Sequence, residues 1–139
     1  MSQRDPLYEG EIRKHRQKML RVLAEYSTQK QWNEKDLLAI QHALQVLIES
    51  LIGLARYTAN LRYGVTLHRS REALDELKDR SLLDSKLHQE VMKMIGFRNI
   101  MVHDYLNVDE EIVRSIVVTK QYQVIEKVAK YLEKCLTSI

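Results

Sequence analysis

Five residues in one short stretch carry groups that could act on a phosphate ester. Arg98 and His103 stand five apart, Tyr105 follows two later, and Asn99 and Asp104 lie beside them. An imidazole ionises near neutral pH, so it can take a proton from a hydroxyl or return one to a leaving oxygen. A guanidinium can hold a phosphate with two parallel hydrogen bonds and stabilise the extra charge of a transition state. A phenol can stack on a base or donate to phosphate. Arg, four residues, His, one residue, Tyr is a sparse pattern by itself. Here Arg98 is followed directly by Asn99, then by the apolar Ile100, Met101 and Val102, then by His103, Asp104 and Tyr105.

Helical geometry constrains how these groups meet. Residues five apart on a regular helix are separated by about 140° around its axis. Arg98 and His103 therefore do not share a face of a straight helix, whereas Arg98 and Tyr105 nearly do, as do Asn99 and His103. Either the helix is distorted or ends before His103, or the site is assembled from two chains. Gly96 weakens a helix by about 1 kcal/mol relative to alanine. Close approach of another helix would account for it.

The elements that position the motif are legible as helices. With 4 glycines and 1 proline in 139 residues, turns are few, which favours long helices over strands. Apolar residues make up 45% and charged residues 29%, a globular composition for one domain spanning residues 1–139. The first helix is expected from Pro6 to about Thr28, with Ile12, Met19, Val22, Leu23 and Tyr26 inward. Asn33 caps a second, whose Leu37, Ile40, Leu44, Leu47, Leu51, Leu54 and Thr58 recur three and four apart. It ends at Tyr63-Gly64. Ser70 is the expected cap of a short helix over Arg71–Asp79. A fourth starts at Asp84 or Ser85, faces Leu87, Val91, Met94 and Ile95 inward, and carries the motif. Asp109 or a neighbour caps the last, with the stripe Val118, Tyr122, Ile125, Ala129, Leu132 and Leu136. The expected fold is all-α, an up-and-down bundle of four long helices and one short.

Other features exclude function classes. A single cysteine, Cys135, rules out an internal disulfide framework and argues against a cysteine-based zinc site. The charged N-terminus shows no secretory signal. The apolar stretch Leu44–Leu54 carries Gln45 and Glu49 and is too short to span a bilayer. A cytoplasmic protein without a membrane partner is expected. The net charge of +3 permits a polyanionic partner without demanding one. His15, His68 and His88 read as exposed, and Arg13–Lys18 as a solvated face or a contact for a partner. Met101 reads as packing or as part of a dimer seam. His42, Glu49 and Arg56 recur every seven residues, either as a solvated face or as a cleft lining in which Glu49 accepts from Arg98 or holds a partner's motif.

The segment Gly96–Tyr105, in the penultimate long helix of a small bundle, resembles the HEPN superfamily, in particular the HepT toxins of MntA–HepT toxin–antitoxin systems. The likeness extends over about residues 35–135. It includes Leu44–Ile52 in the second helix and Tyr105–Asp109 after the motif. One departure is Gly53, where many relatives carry an acidic residue. The resemblance implies a HEPN-like fold and a metal-independent endoribonuclease with no cofactor, working as a homodimer whose motifs meet in a basic cleft. RNA supplies its own nucleophile, the 2′-hydroxyl, so a histidine and an arginine suffice without a metal. On this reading Arg98 and His103 are catalytic, and Asn99, Tyr105, Asp104 and Glu49 bind or orient the substrate. The resemblance further implies that an MntA-like nucleotidyltransferase antitoxin silences the toxin by transferring AMP to Tyr105. The alternative is a non-catalytic HEPN subunit that binds nucleotide or serves as a scaffold for the nucleotidyltransferase.

Overall fold

The computed structural model describes residues 3–138 of the chain. Among the described residues it is all-helical, with six α-helices rather than five. They are α1 (Pro6–Ser27), α2 (Glu34–Tyr63), α3 (Glu72–Asp79), α4 (Ser85–His103), α5 (Glu110–Val118) and α6 (Gln123–Leu136), with a 3₁₀ turn at Tyr105–Asn107 between α4 and α5.

Most helix starts follow their capping chemistry. Asp5 accepts from the Tyr8 amide, and Pro6 occupies the first turn of α1. Asn33 and Asp36 exchange side-chain and backbone bonds in a capping box that fixes the start of α2. Asp84 accepts from the Leu87 amide at the head of α4, and Asp109 from the Glu111 amide at the head of α5. At the far end of α2, Gly64 adopts the left-handed φ of 67° that glycine reaches without a Cβ clash. Ser70 does not cap α3: Arg71 stands at the cap position, with no side-chain bond to the first turn.

The last expected helix is broken in two. Lys120 takes a φ of 60°. Its amide donates to the Val117 carbonyl, and the Gln121 amide donates to the Ile116 carbonyl at 2.9 Å. This is the bond pair of a Schellman motif, which closes a helix at a left-handed residue. The chain then restarts as α6. The break turns Val118 outward, 45% exposed, while Tyr122, Ile125, Ala129, Leu132 and Leu136 stay buried as expected.

α2 is the axis of the molecule. Ile40, Leu44, Leu47, Leu51, Leu54 and Thr58 are buried and only Leu37 is half-buried. The helix runs 30 residues and contains an 18-residue window of mean hydropathy 1.6. By length and composition it could cross a membrane, contrary to what the shorter stretch Leu44–Leu54 implied. Half of that window is buried against the other helices, which is how the core helix of a bundle also reads.

Two buried charges hold α1 in place, and neither was expected from an apolar stripe. Glu9 accepts from Arg4 Nε at 3.1 Å and Arg4 Nη2 at 2.7 Å, and from the Tyr57 hydroxyl of α2. The Arg4 bonds hold its carboxyl below the usual carboxylate range, with Tyr57 adding to the effect against the opposing pull of burial. Arg16 is 2% exposed and pairs with Glu133 of α6 at 2.8 Å. The basic face of α1 is thus partly inside the bundle. Trp32 pins the α1–α2 connection, edge-on to Tyr26 and beneath the Arg114 guanidinium of α5.

Candidate active site

α4 remains helical to His103 and then stops. Asp104 closes it, donating its amide to the Ile100 carbonyl at 2.8 Å. The Asp104 carboxylate accepts from the Asn107 side-chain amide at 2.8 Å, which fixes the following turn. The helix therefore ends at His103, not before it.

Arg98, Asn99 and His103 nevertheless line a single cleft of about 850 Å³ within one chain. α4 forms one wall. Glu49 and Arg56 of α2 form a second, and the α2–α3 connection forms the third. The cleft is wide enough that two residues 140° apart on the helix both border it. Two residues about 140° apart do not both meet a flat surface, but they both border a groove that wraps around a helix end.

Arg98 is the most constrained group. Its Nη2 donates to Glu49 Oε1 and its Nη1 to Asn99 Oδ1, both at 2.9 Å. Asn99 is thus engaged with Arg98. Glu49 is the α2 residue that receives the motif arginine of its own chain. The Arg98 Nε is buried without a partner, so the group is held by its outer nitrogens alone.

The rest of the motif is open. His103, Asp104 and Tyr105 are exposed. Tyr105 is 67% exposed and Leu106 82%, beside Ile100 at 47%. Tyr105 does not line the cleft. It stands past the helix end, on the 3₁₀ turn. Met101 is buried in the chain's own core, which answers the choice between packing and a seam.

The cleft also contains residues that sequence reading passed over. His68, Arg69 and Arg71 come from the α2–α3 connection, and Asp75 from α3. Their signal was the short basic cluster His68-Arg69-Ser70-Arg71, which reads in sequence only as an exposed histidine and the start of a short helix. Arg56 donates to the His68 carbonyl and ties this connection to α2. His88 is half-buried rather than exposed and bonds Asp75 at 2.7 Å. Of the heptad trio, Glu49 and Arg56 enter the cleft, and His42 remains outside it. Gly53 lines the cleft too. A Cβ there would stand 3.3 Å from the Tyr8 hydroxyl of α1, so packing of α1 on α2 suits a small residue at this point.

The family described as Ribonuclease HepT-like matches residues 12–132. No curated protein matches the sequence. Among solved structures, the fold is similar to that of a tri-AMPylated Shewanella oneidensis HEPN toxin in complex with MNT antitoxin, at 21% identity and a TM-score of 0.73, over 91% of this chain and 94% of that one. It is similar to a toxin–antitoxin solved with AMP-PNP, at 21% identity and a TM-score of 0.73, over 90% and 94%. It is also similar to the cytosolic protein YutE of Bacillus subtilis, of unknown function, at 21% identity and a TM-score of 0.75, over 93% and 90%. At these identities the likeness is one of fold.

Proposed function

This chain belongs to the HepT-like ribonuclease family, and we propose that it is the toxin of a toxin–antitoxin pair, a metal-independent endoribonuclease acting in the cytoplasm. The observation that carries this reading is the convergence of Arg98, Asn99, His103 and Glu49 on one cleft that also holds Arg56, Arg69 and Arg71. Four arginines outnumber the three carboxylates, Glu49, Glu72 and Asp75, that also line it, so the cleft can hold a polyanion with an acid–base group at its edge.

The reaction needs only these groups and RNA. The 2′-hydroxyl oxygen attacks the adjacent phosphorus, and the bond from phosphorus to the 5′-oxygen breaks. The products are a 2′,3′-cyclic phosphate and a 5′-hydroxyl. One proton leaves the 2′-hydroxyl and one arrives at the 5′-oxygen. His103 handles one of these transfers. Arg98, aimed by Glu49 and Asn99, holds the non-bridging oxygens and stabilises their growing charge. Asp104 sets the turn that places His103 at the helix end.

The protein works as a homodimer on this reading. The exposed Ile100, Val102 and Leu106 beside the motif supply apolar surface for a second copy. An MntA-like nucleotidyltransferase antitoxin transfers AMP from ATP to the Tyr105 hydroxyl: the phenol oxygen bonds the α-phosphorus, pyrophosphate leaves, and the phenol proton is released. The exposed phenol is accessible to such an enzyme, and the added phosphate would bring negative charge close to His103, two residues away at the helix end.

The test is RNA cleavage by purified protein in excess EDTA. Wild type should cut and leave cyclic phosphate ends, while His103→Ala should lose about 10²- to 10⁴-fold in rate. Equal inertness of both proteins on RNA, with equal harmlessness on expression, would leave the non-catalytic nucleotide-binding or scaffold role in its place.

A further inference from the structure

The four arginines of the cleft are not equivalent. Arg98 is tied to Glu49 and Asn99, Arg69 faces Glu72 at 3.6 Å, and Arg56 holds the His68 carbonyl. Arg71 lines the same cleft. Among the described residues its guanidinium makes no hydrogen bond, ion pair or aromatic contact. Its donors are uncommitted, and unlike the exposed Arg69 it has no carboxylate among these residues within ion-pair distance.

Arg71 is nonetheless placed. Its guanidinium lies over the bare backbone of Gly96 on α4, where a Cβ would stand 3.1 Å from Nη2. That is closer than most Cβ contacts, and the exposed tip of Arg71 would have to shift by a few tenths of an ångström to admit one, so Gly96 gives the guanidinium its present seat. Gly96, Asn99 and His103 are three and seven positions apart, which puts them on one face of α4. The seat therefore belongs to the same wall as the motif. It lies about 10 Å along the helix from His103. A second phosphate of a bound strand fits there; the scissile one, held between Arg98 and His103, does not.

We infer that Arg71 is a second phosphate-binding residue, which takes an RNA phosphate flanking the scissile one, and that Gly96 seats it by lacking a side chain. This rests on the nuclease reading of the same cleft. Arg71 touches neither Arg98 nor His103 in the hydrogen-bond network, so its contribution is to substrate affinity and register. The reacting groups stay as they are without it.

The experiment uses the full chain carrying His103→Ala and a short single-stranded RNA, with affinity followed by fluorescence anisotropy across a salt series. Adding Arg71→Gln should weaken binding about five- to tenfold and reduce the slope of log affinity against log salt by about 0.7, the value of one phosphate contact on a single strand. Gly96→Leu retains every charge and fills the seat. It should weaken binding by a similar factor while melting no lower than its parent. Lys127→Gln, in the separate groove between α4 and α6, should change neither number.

Unchanged affinity and slope in Arg71→Gln would overturn the inference. So would an equal loss in Lys127→Gln, since that would indicate a diffuse field rather than a seat. If Gly96→Leu does not fold, Arg71→Gln decides alone. If the wild-type chain cleaves RNA while Arg71→Gln binds normally, this inference falls and the nuclease stands. If the parent binds no RNA and the wild type cuts none, both fall together.

Discussion

Arg98 reaches from α4 to Glu49 on α2, Nη2 to Oε1, at 2.9 Å, and this bond joins the motif to the central helix. The two side chains are 20% and 38% exposed. An ion pair so close to solvent contributes under about 1 kcal/mol to stability. Its role is aim. Glu49→Ala should leave the melting temperature within a few degrees and reduce kcat/KM for RNA roughly tenfold or more, because a displaced clamp misses the transition state. Glu49→Gln, which keeps an acceptor, should fall between. Initial rates and thermal melts on the three proteins check this. A faster Glu49→Ala would mean that the carboxylate competes with phosphate for Arg98.

Tyr105 stands outside the cleft at 67% exposure. Tyr105→Phe should therefore fold as wild type, within about 0.5 kcal/mol, as exposed substitutions usually do. It should cleave RNA at a rate close to wild type. When incubated with an MntA-like nucleotidyltransferase and ATP, wild type should gain AMP by intact mass and Tyr105→Phe should not. An identical gain in both proteins would place the modification elsewhere.

The Arg4–Glu9–Tyr57 cluster makes stability depend on pH with a definite sign. Bonding to Arg4, first, and to Tyr57 depresses the Glu9 carboxyl below its ordinary value of 4.5. A depressed carboxylate stabilises the fold above the unfolded pKa. That contribution is lost as pH falls through the lower folded value. Wild type should thus exceed Glu9→Gln by about 1–3 kcal/mol at neutral pH, and the gap should narrow in acid. Denaturant melts of both proteins from pH 7 to pH 3 provide the check. A constant gap would show that Glu9 acts through packing.

Lys120 sits at a φ of 60° between α5 and α6. A residue with a Cβ costs about 1–2 kcal/mol in that conformation, and glycine avoids the clash at some cost in chain entropy. Lys120→Gly should therefore stabilise by roughly 0.5–1 kcal/mol, read as a higher denaturant midpoint at unchanged slope. Lys120→Val should be clearly less stable than wild type.

The fold was legible wherever a residue type has one local use. Asn33 with Asp36, Pro6, Asp84 and Gly64 each do what capping chemistry dictates. The α5–α6 break was hidden because a lysine, not a glycine, occupies the left-handed position, and the apolar stripe runs on through it. Arg16 was hidden for another reason: sequence pattern counts it as solvated, while a carboxylate on α6 draws it inside. The site was half legible. Arg98, Asn99 and His103 lie close together in sequence. Glu49 and Arg56 stand on one heptad, a spacing that allows Arg98 as the partner of Glu49 without requiring it. Arg71 could not be found, because nothing local says that a loop arginine lies on a glycine of another helix.

The two halves of the cleft differ in how firmly they are held. Glu49, Arg56 and Arg98 are anchored within helices that pack on the core. His103 is the last residue of α4, followed by four exposed positions, Asp104 to Asn107, that include a short 3₁₀ turn. Helix ends open locally at far lower free energy than the whole fold. On the nuclease reading, proton transfer hangs on the final turn of α4, and the Arg98 part of phosphate holding on residues anchored against the core. Warming should release the final turn of α4 before the bundle melts, leaving a chain that still captures RNA but no longer cuts it. In such a protein the upper temperature of activity reports the last turn of one helix, and the calorimetric transition reports everything else.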